Sequence, residues 1–253
     1  QYADYAYNQF MELIDIYDPD ILWNDIGWPQ KGREDLKYLF AYFYNKTPDG
    51  LVNDRWDIDY WDFKTAEYQA NYPGDIPPYK WEFCRGLGFS FGYNQMEGPE
   101  HIMSVEKLIY TLADVVSKGG NLLLNIGPKA DGTISEIQTE RLIGIGKWLE
   151  KNGEAIYGTH PWIRAKGKTS DGLEVRFTKK DNFLYAIIFG IPKSGKINLE
   201  SLKVDKNSNI ALLNAEENLK YKQEEENLSV FIPQTSKDYT TILKISPIPN
   251  KNQ

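Results

Sequence analysis

Cysteine and histidine are nearly missing from this chain of 253 residues: one Cys, Cys84, and two His, His101 and His160. A lone cysteine excludes an internal disulfide framework and a cysteine-rich zinc site. Cys84 is therefore read as a small buried hydrophobe. Two histidines so far apart in sequence offer no metal-ligand spacing, and each is read as locally structural. No apolar run approaches the ~18 residues that a membrane span needs. Clusters of Lys and Arg are also missing. The net charge is −7 and the 36 acids are spread along the chain, which disfavours a phosphate-backbone partner. There is no phosphate-cradling Gly-rich loop and no Gly-x-Ser-x-Gly elbow. Finally, the chain opens on Gln1 and is already helical in pattern, with no capping residue ahead of it. A helix without a start is expected to belong to something longer.

What is present is an ordinary globular composition, 41% hydrophobic and 26% charged, with an unusual share of aromatics. Seven Trp and 17 Tyr suit sugar-binding clefts, where a ring offers a flat apolar face to sugar C–H groups. They suit a packed core equally well.

Residues 1 to about 160 alternate helix and strand. Ala3, Ala6, Phe10, Leu13 and Tyr17 fall at helical spacing. Asp18-Pro19-Asp20 breaks that helix. Ile21-Leu22-Trp23 then reads as a short buried strand, ending at Asn24-Asp25. A second helix is expected over roughly Arg33 to Asn45, and a second short strand at Leu51-Val52-Asn53. The stretch from Tyr60 to Tyr79, with Pro73, Gly74, Pro77 and Pro78, reads as a long functional loop. Ser104 is placed as the N-cap of a helix that Gly119-Gly120 closes. Asn121 to Ile126 follows as a continuous apolar strand of the parallel-sheet kind. Ser135-Glu136-Ile137-Gln138 reads as a capping box, and its helix ends near Asn152-Gly153. This rhythm belongs to a (β/α) barrel or a doubly wound sheet. Beyond Trp162, short β-prone segments alternate with Gly, Asn, Asp and Lys turns, as in an antiparallel β-sandwich. The expected fold is thus α/β followed by all-β, with domains at residues 1–160 and 161–253.

In a (β/α)8 barrel the active residues lie at the C-terminal ends of the strands. Asp25 holds such a position, flanked in sequence by Trp23 and Trp28, and is expected to be semi-buried among their rings. Capping explains it poorly, because the next helix begins several residues on. Arg55, at the end of the second strand, suits a carboxylate or sugar hydroxyls, and as well a plain surface ion pair. Glu67 lies in the long loop, with Glu82, Glu97 and Glu100 as rival acids. Trp81-Glu82-Phe83 and Phe91-Gly92-Tyr93 could wall a pocket. Carboxylates with aromatics at strand ends suit glycoside hydrolysis, where two carboxyl groups flank the scissile bond.

Several of these segments resemble one known family. They are Asp20 to Pro29, Val52-Asn53-Asp54-Arg55-Trp56, Phe63 to Tyr68, Trp81-Glu82-Phe83, Ser90 to Asn94, Ser117 to Pro128 and Glu154 to Gly158. In order and spacing they resemble family 29 α-L-fucosidases. The resemblance implies the C-terminal part of a (β/α)8-like catalytic barrel followed by a β-sandwich, and retaining hydrolysis of α-L-fucosides. It implies Asp25 as nucleophile and Glu67 as acid/base, and Trp23, Arg55 and Phe91 as residues lining the fucose pocket. Many relatives carry Gly directly after the nucleophile, where this chain has Ile26. No cofactor and no metal is implied. The implied partner is a fucosylated oligosaccharide or glycoconjugate, with neither nucleic acid nor membrane; the oligomeric state is left open. An inactive fucose-binding relative and a retaining hydrolase or transglycosylase for a related sugar such as galactose are the alternatives. In the family, roughly the first half of the barrel precedes the segments found here. The 253 residues alone are therefore expected to bind fucose weakly and turn over poorly.

Overall fold

In the computed structural model, residues 1–69, 75–192, 195–215, 217–233 and 238–249 are described; Pro73 and Gly74 of the expected long loop lie outside them. The chain divides into two compact units, residues 1–67 with 78–82, and residues 68–77 with 83–253.

The first unit opens on α1, Tyr2–Tyr17. Its apolar stripe is the reason it is ordered: Ala6, Phe10 and Ile14 turn towards a core shared with Leu36, Leu39, Phe40 and Phe43 of α2, Leu36–Lys46. A 3-10 turn over Gln30–Asp35 leads into α2, where the sequence predicted one uninterrupted helix. Two very short parallel strands lie beside these helices, β1 at Ile21–Leu22 and β2 at Leu51–Val52. Ile21 pairs with Leu51 and Leu22 with Val52. Phe10, Trp28 and Trp56 meet at ring distances of 4.9–5.5 Å. The expected Tyr60–Tyr79 loop contains a strand instead, β3 at Lys64–Glu67. The N–H of Lys64 donates to the carbonyl of Lys80 at 3.0 Å, which brings β3 beside the start of β4, Trp81–Gly86.

In the second unit, α3 spans Val105–Ser117. Ser104 caps it as expected, accepting from the N–H of Lys107. Gly119 then takes a φ of +78°, the left-handed turn that lets the chain reverse into β5, Gly120–Asn125. Helix α4 covers Glu136–Asn152. Its expected capping box does not form. Ser135 makes no capping bond, and Gln138 turns away to accept from the N–H of Gly127 at 3.2 Å. A backbone donor in a buried turn outcompetes the helix end for that amide.

Eight strands follow: β6 His160–Lys168, β7 Glu174–Lys180, β8 Phe183–Phe189, β9 Lys196–Leu199, β10 Asn209–Leu212, β11 Tyr221–Glu224, β12 Asn227–Phe231 and β13 Thr240–Ser246. They form an antiparallel five-stranded sheet, β10-β13-β8-β7-β6, and a three-stranded one, β11-β12-β9. Leu184, Ala186 and Ile188 face a core with Ile197, Leu199, Leu228 and Val230 of the smaller sheet. Tyr185, Ile187 and Ile242 face the other way and pack with Leu108 and Ile109 of α3 and Trp148 of α4. The central strand β8 is therefore buried on both faces, which is why its sequence is apolar throughout. Cys84 is buried in this unit.

Candidate active site

The site is built where β1, β2, β3 and β4 end or begin, within the first unit. The parallel ladder of β1 and β2 is only two residues long. Asn53, fully buried, prolongs it with its side chain. Its Oδ1 accepts from the N–H of Asn24 at 3.0 Å, and its Nδ2 donates to the carbonyl of Asn24 at 2.7 Å. The amide thus imitates one further peptide of the sheet. Asn24 in turn donates from Nδ2 to the carbonyls of Gly27 and Arg55. This closes a tight turn over Asp25-Ile26-Gly27, with φ of +56° at Ile26 and +82° at Gly27. A Cβ at Gly27 would lie 2.2 Å from Oδ2 of Asp57, so the turn requires glycine there. Ile26 holds a left-handed backbone of the kind that suits glycine.

That turn presents Asp25 outward. Its side chain is 58% exposed, not semi-buried as expected. Trp28 does not flank it: the Gly27 turn sends that ring into the core, where its Nε1 donates to the carbonyl of Gly32. Arg55, after β2, reaches Asp25 instead. Its Nη1 donates to Oδ1 of Asp25 at 2.9 Å and to Oε1 of Glu67 at 2.6 Å. Both oxygens bind one nitrogen, so these two oxygens lie no more than about 5.5 Å apart, nearer than the ~6.5–9.5 Å between the carboxyl groups of inverting glycosidases. Glu67 ends β3 with its carboxylate 38% exposed.

Arg55 is itself aimed by neighbours. Its Nε donates to Oγ1 of Thr65 at 2.7 Å. Thr65 is held through its N–H and hydroxyl, both donating to Oδ1 of Asp54. The guanidinium lies 4.9 Å from the centre of the Trp23 ring, a cation–π distance. Nε1 of Trp23 donates to Oε1 of Glu82 at 2.8 Å. Burial works to lower the Arg55 guanidinium, but its bonds to Glu67 and Asp25 outweigh this and raise it. The hydrogen bond from Arg55, helped by the N–H of Ile26, holds the Asp25 carboxyl below the usual carboxylate range. Glu82 goes the other way. Burial pushes it up, against the pull of the Trp23 N–H and the charge of Arg55.

Asp25, Arg55, Glu67 and Trp23 thus meet in one cluster. Phe91 belongs to the second unit, where its ring meets that of Tyr68 at 5.0 Å. Of the rival acids, Glu97 is tied to the N–H of Phe89 and the hydroxyl of Ser90, and Oε1 of Glu100 lies 3.3 Å from Nδ1 of His101, which itself accepts the N–H of Gly98. Asn53, Asp54 and Thr65 orient the cluster without having been singled out from the sequence as orienting groups. Their signal is a hydrogen-bond network, which leaves no periodicity to read.

The sequence matches the family profile described as α-L-fucosidase over residues 1–154 and that of the α-L-fucosidase C-terminal domain over residues 169–246. The chain belongs to the α-L-fucosidase family. Among solved structures, the α-fucosidase of Thermotoga maritima in complex with a mechanism-based inhibitor is 56% identical, with a TM-score of 0.91 over 97% of this chain and 56% of that one. α-L-Fucosidase isoenzyme 1 from Paenibacillus thiaminolyticus is 28% identical, with a TM-score of 0.80 over 97% of this chain and 62% of that one. Human tissue α-L-fucosidase is 34% identical over 236 residues, 89% of this chain and 50% of that protein. The chain spans about half the length of the curated relatives it matches. It has the family's architecture, the C-terminal part of a (β/α)8-like barrel followed in sequence by an antiparallel β-sandwich.

Proposed function

We propose that the protein carrying this chain is a retaining exo-glycosidase that releases terminal α-L-fucose from fucosylated oligosaccharides or glycoconjugates. The observation that carries this reading is the pair of carboxylates, Asp25 and Glu67, held on one nitrogen of Arg55. That separation suits retention; inversion needs ~6.5–9.5 Å, to admit a water between acid and base.

Asp25 is the nucleophile. Its carboxylate oxygen forms a bond to the anomeric carbon as the glycosidic C–O bond breaks. The leaving oxygen takes a proton from Glu67. Water then adds to the anomeric carbon, giving its proton to Glu67, and the ester bond to Asp25 breaks. The chain's own carboxylates balance both steps. The depressed pKa of Asp25 suits a nucleophile that must be ionised when it attacks. Arg55 holds the two carboxylates on one nitrogen, facing a common space. Trp23 is proposed as part of the apolar wall against the C6 methyl group. We take the catalytic portion as residues 1–160 and the β-sandwich as 161–253, a division supported by family matches over residues 1–154 and 169–246.

Proton NMR of an aryl α-L-fucoside during hydrolysis by the full-length protein tests this. The α-anomer of free fucose should appear first, mutarotating afterwards. First release of the β-anomer would contradict retention. Faster cleavage of an aryl α-galactoside would move the assignment to a related sugar.

A further inference from the structure

Glu82 has no part in the two chemical steps above. It nevertheless stands at the head of a continuous series of contacts. Its carboxylate accepts the indole N–H of Trp23 at 2.8 Å. The Trp23 ring meets the Arg55 guanidinium at 4.9 Å. That guanidinium holds Asp25 and Glu67 through Nη1. Side chains alternate along a strand, so Glu82 points away from the face that buries Trp81 and Phe83. β4 thereby delivers a carboxylate to the ends of β1, β2 and β3.

An indole N–H needs only a neutral acceptor. A half-buried carboxylate is a costlier choice than a carbonyl. The charge does what a carbonyl would not. It makes a stronger, charge-assisted bond to the indole. It also polarises the ring, which strengthens the attraction of the ring face for a cation. Finally, it places a negative charge within electrostatic reach of Arg55, the charged group whose field Glu82 feels.

We propose that Glu82 is a positioning residue of the fucosidase site: it fixes the Trp23 indole against Arg55, and so fixes Arg55 between Asp25 and Glu67. The proposal rests on the retaining reading of the same site. It has a consequence for pH. Glu82 titrates above the ordinary glutamate range and Asp25 below the ordinary aspartate range. As pH falls, the alignment is lost before the nucleophile is protonated. The acidic limb of kcat/KM therefore reports Glu82.

The test uses the full-length protein with 4-nitrophenyl α-L-fucoside and the variants Glu82→Gln, Glu82→Leu, Trp23→Phe and Trp23→Phe/Glu82→Leu. Misplaced catalytic groups can cost about 10²-fold, and Glu82→Leu is expected to lower kcat/KM on that scale. Glu82→Gln keeps an acceptor for the indole, so its loss should be smaller, with the acidic limb moved to lower pH. In the Trp23→Phe background the indole donor is gone, so Glu82→Leu should cost less than about 3-fold more, the non-additivity of residues acting as a unit. Penalties that simply multiply in the two backgrounds, or an acidic limb unmoved in Glu82→Gln, would overturn the proposal. The Trp23 indole N–H resonance carries the same test without turnover. It should follow a titration above the ordinary glutamate range, absent in Glu82→Gln. A Trp23 signal indifferent to that substitution overturns the proposal even in a protein without fucosidase activity, whereas loss of turnover in the unaltered protein overturns only the retaining reading.

Discussion

Ile26 stands beside the proposed nucleophile with a φ of +56° and 94% of its surface exposed. A branched side chain in the left-handed region costs ~1–2 kcal/mol, and here no packing offsets it. Glycine would relieve the strain while adding ~0.5–1 kcal/mol of unfolded-state freedom. Ile26→Gly is therefore expected to stabilise the protein by up to ~1 kcal/mol, read as a higher urea midpoint. Arg55 is the opposite case. Arg55→Met removes the donor that holds Asp25 below the ordinary carboxylate range, so the Asp25 pKa should rise, and kcat/KM should fall by about 10²–10³-fold, as when a preorganised electrostatic group is lost. Asp25 and Arg55 were legible in sequence as side chains at strand ends, whereas Glu67, read there as a loop residue, was singled out only by the family resemblance. Environments were not legible. Trp28 reads as a flank to Asp25 because only two residues separate them, yet the Gly27 turn buries its ring beside Phe10 and Trp56.

At the scale of the element, β1 and β2 are too short to fix the turn that carries Asp25, and the buried Asn53 side chain completes them. Asn53→Ala would orphan a buried N–H and a buried carbonyl, at a cost of about 1–3 kcal/mol. Thermal unfolding should show that loss, along with weaker activity from a looser Asp25. Helical periodicity made α1 and α3 readable, end signals marked α4, and short apolar runs placed β1 and β2. The same reasoning took β3 for loop, because Lys64–Glu67 carries no apolar alternation. It also took Ser135 to Gln138 for a capping box, because a motif does not reveal that the N–H of Gly127 competes for the glutamine.

Across the whole molecule, burial of charge supplies a pH dependence. Arg176, 4% exposed, donates from Nε to Oδ1 of Asp114 at 2.6 Å, joining β7 to α3 within the second unit. Burial alone would raise the Asp114 carboxyl, but its bonds to Lys118 and Arg176 outweigh that and lower it. A carboxyl lowered by folding stabilises fully above its unfolded pKa of ~3.9, and that share is lost as pH falls through the folded value. Asp114→Asn should cost about 1.5–3 kcal/mol near neutral pH, the worth of hydrogen bonds to a charged group, since Arg176 keeps Glu174 as a partner at 2.9 Å, and should flatten the acid side of the stability profile. If the proteins denature alike at every pH, the ion pair contributes nothing. The change from helical to β-prone sequence after Trp162 made a barrel portion and a sandwich readable. The packing of α3 and α4 on the five-stranded sheet was not, because nothing in a strand's own sequence names the layer that covers its second face.

The central claim is that Asp25 becomes covalently bound to fucose. Incubating the full-length protein with 2-fluoro-fucosyl fluoride and mapping its peptides by mass spectrometry tests this most directly. A single 2-fluoro-fucosyl adduct on the peptide containing Asp25, lost in Asp25→Ala, is the predicted result. A folded protein that carries no adduct, or carries it on another carboxylate, would contradict the account.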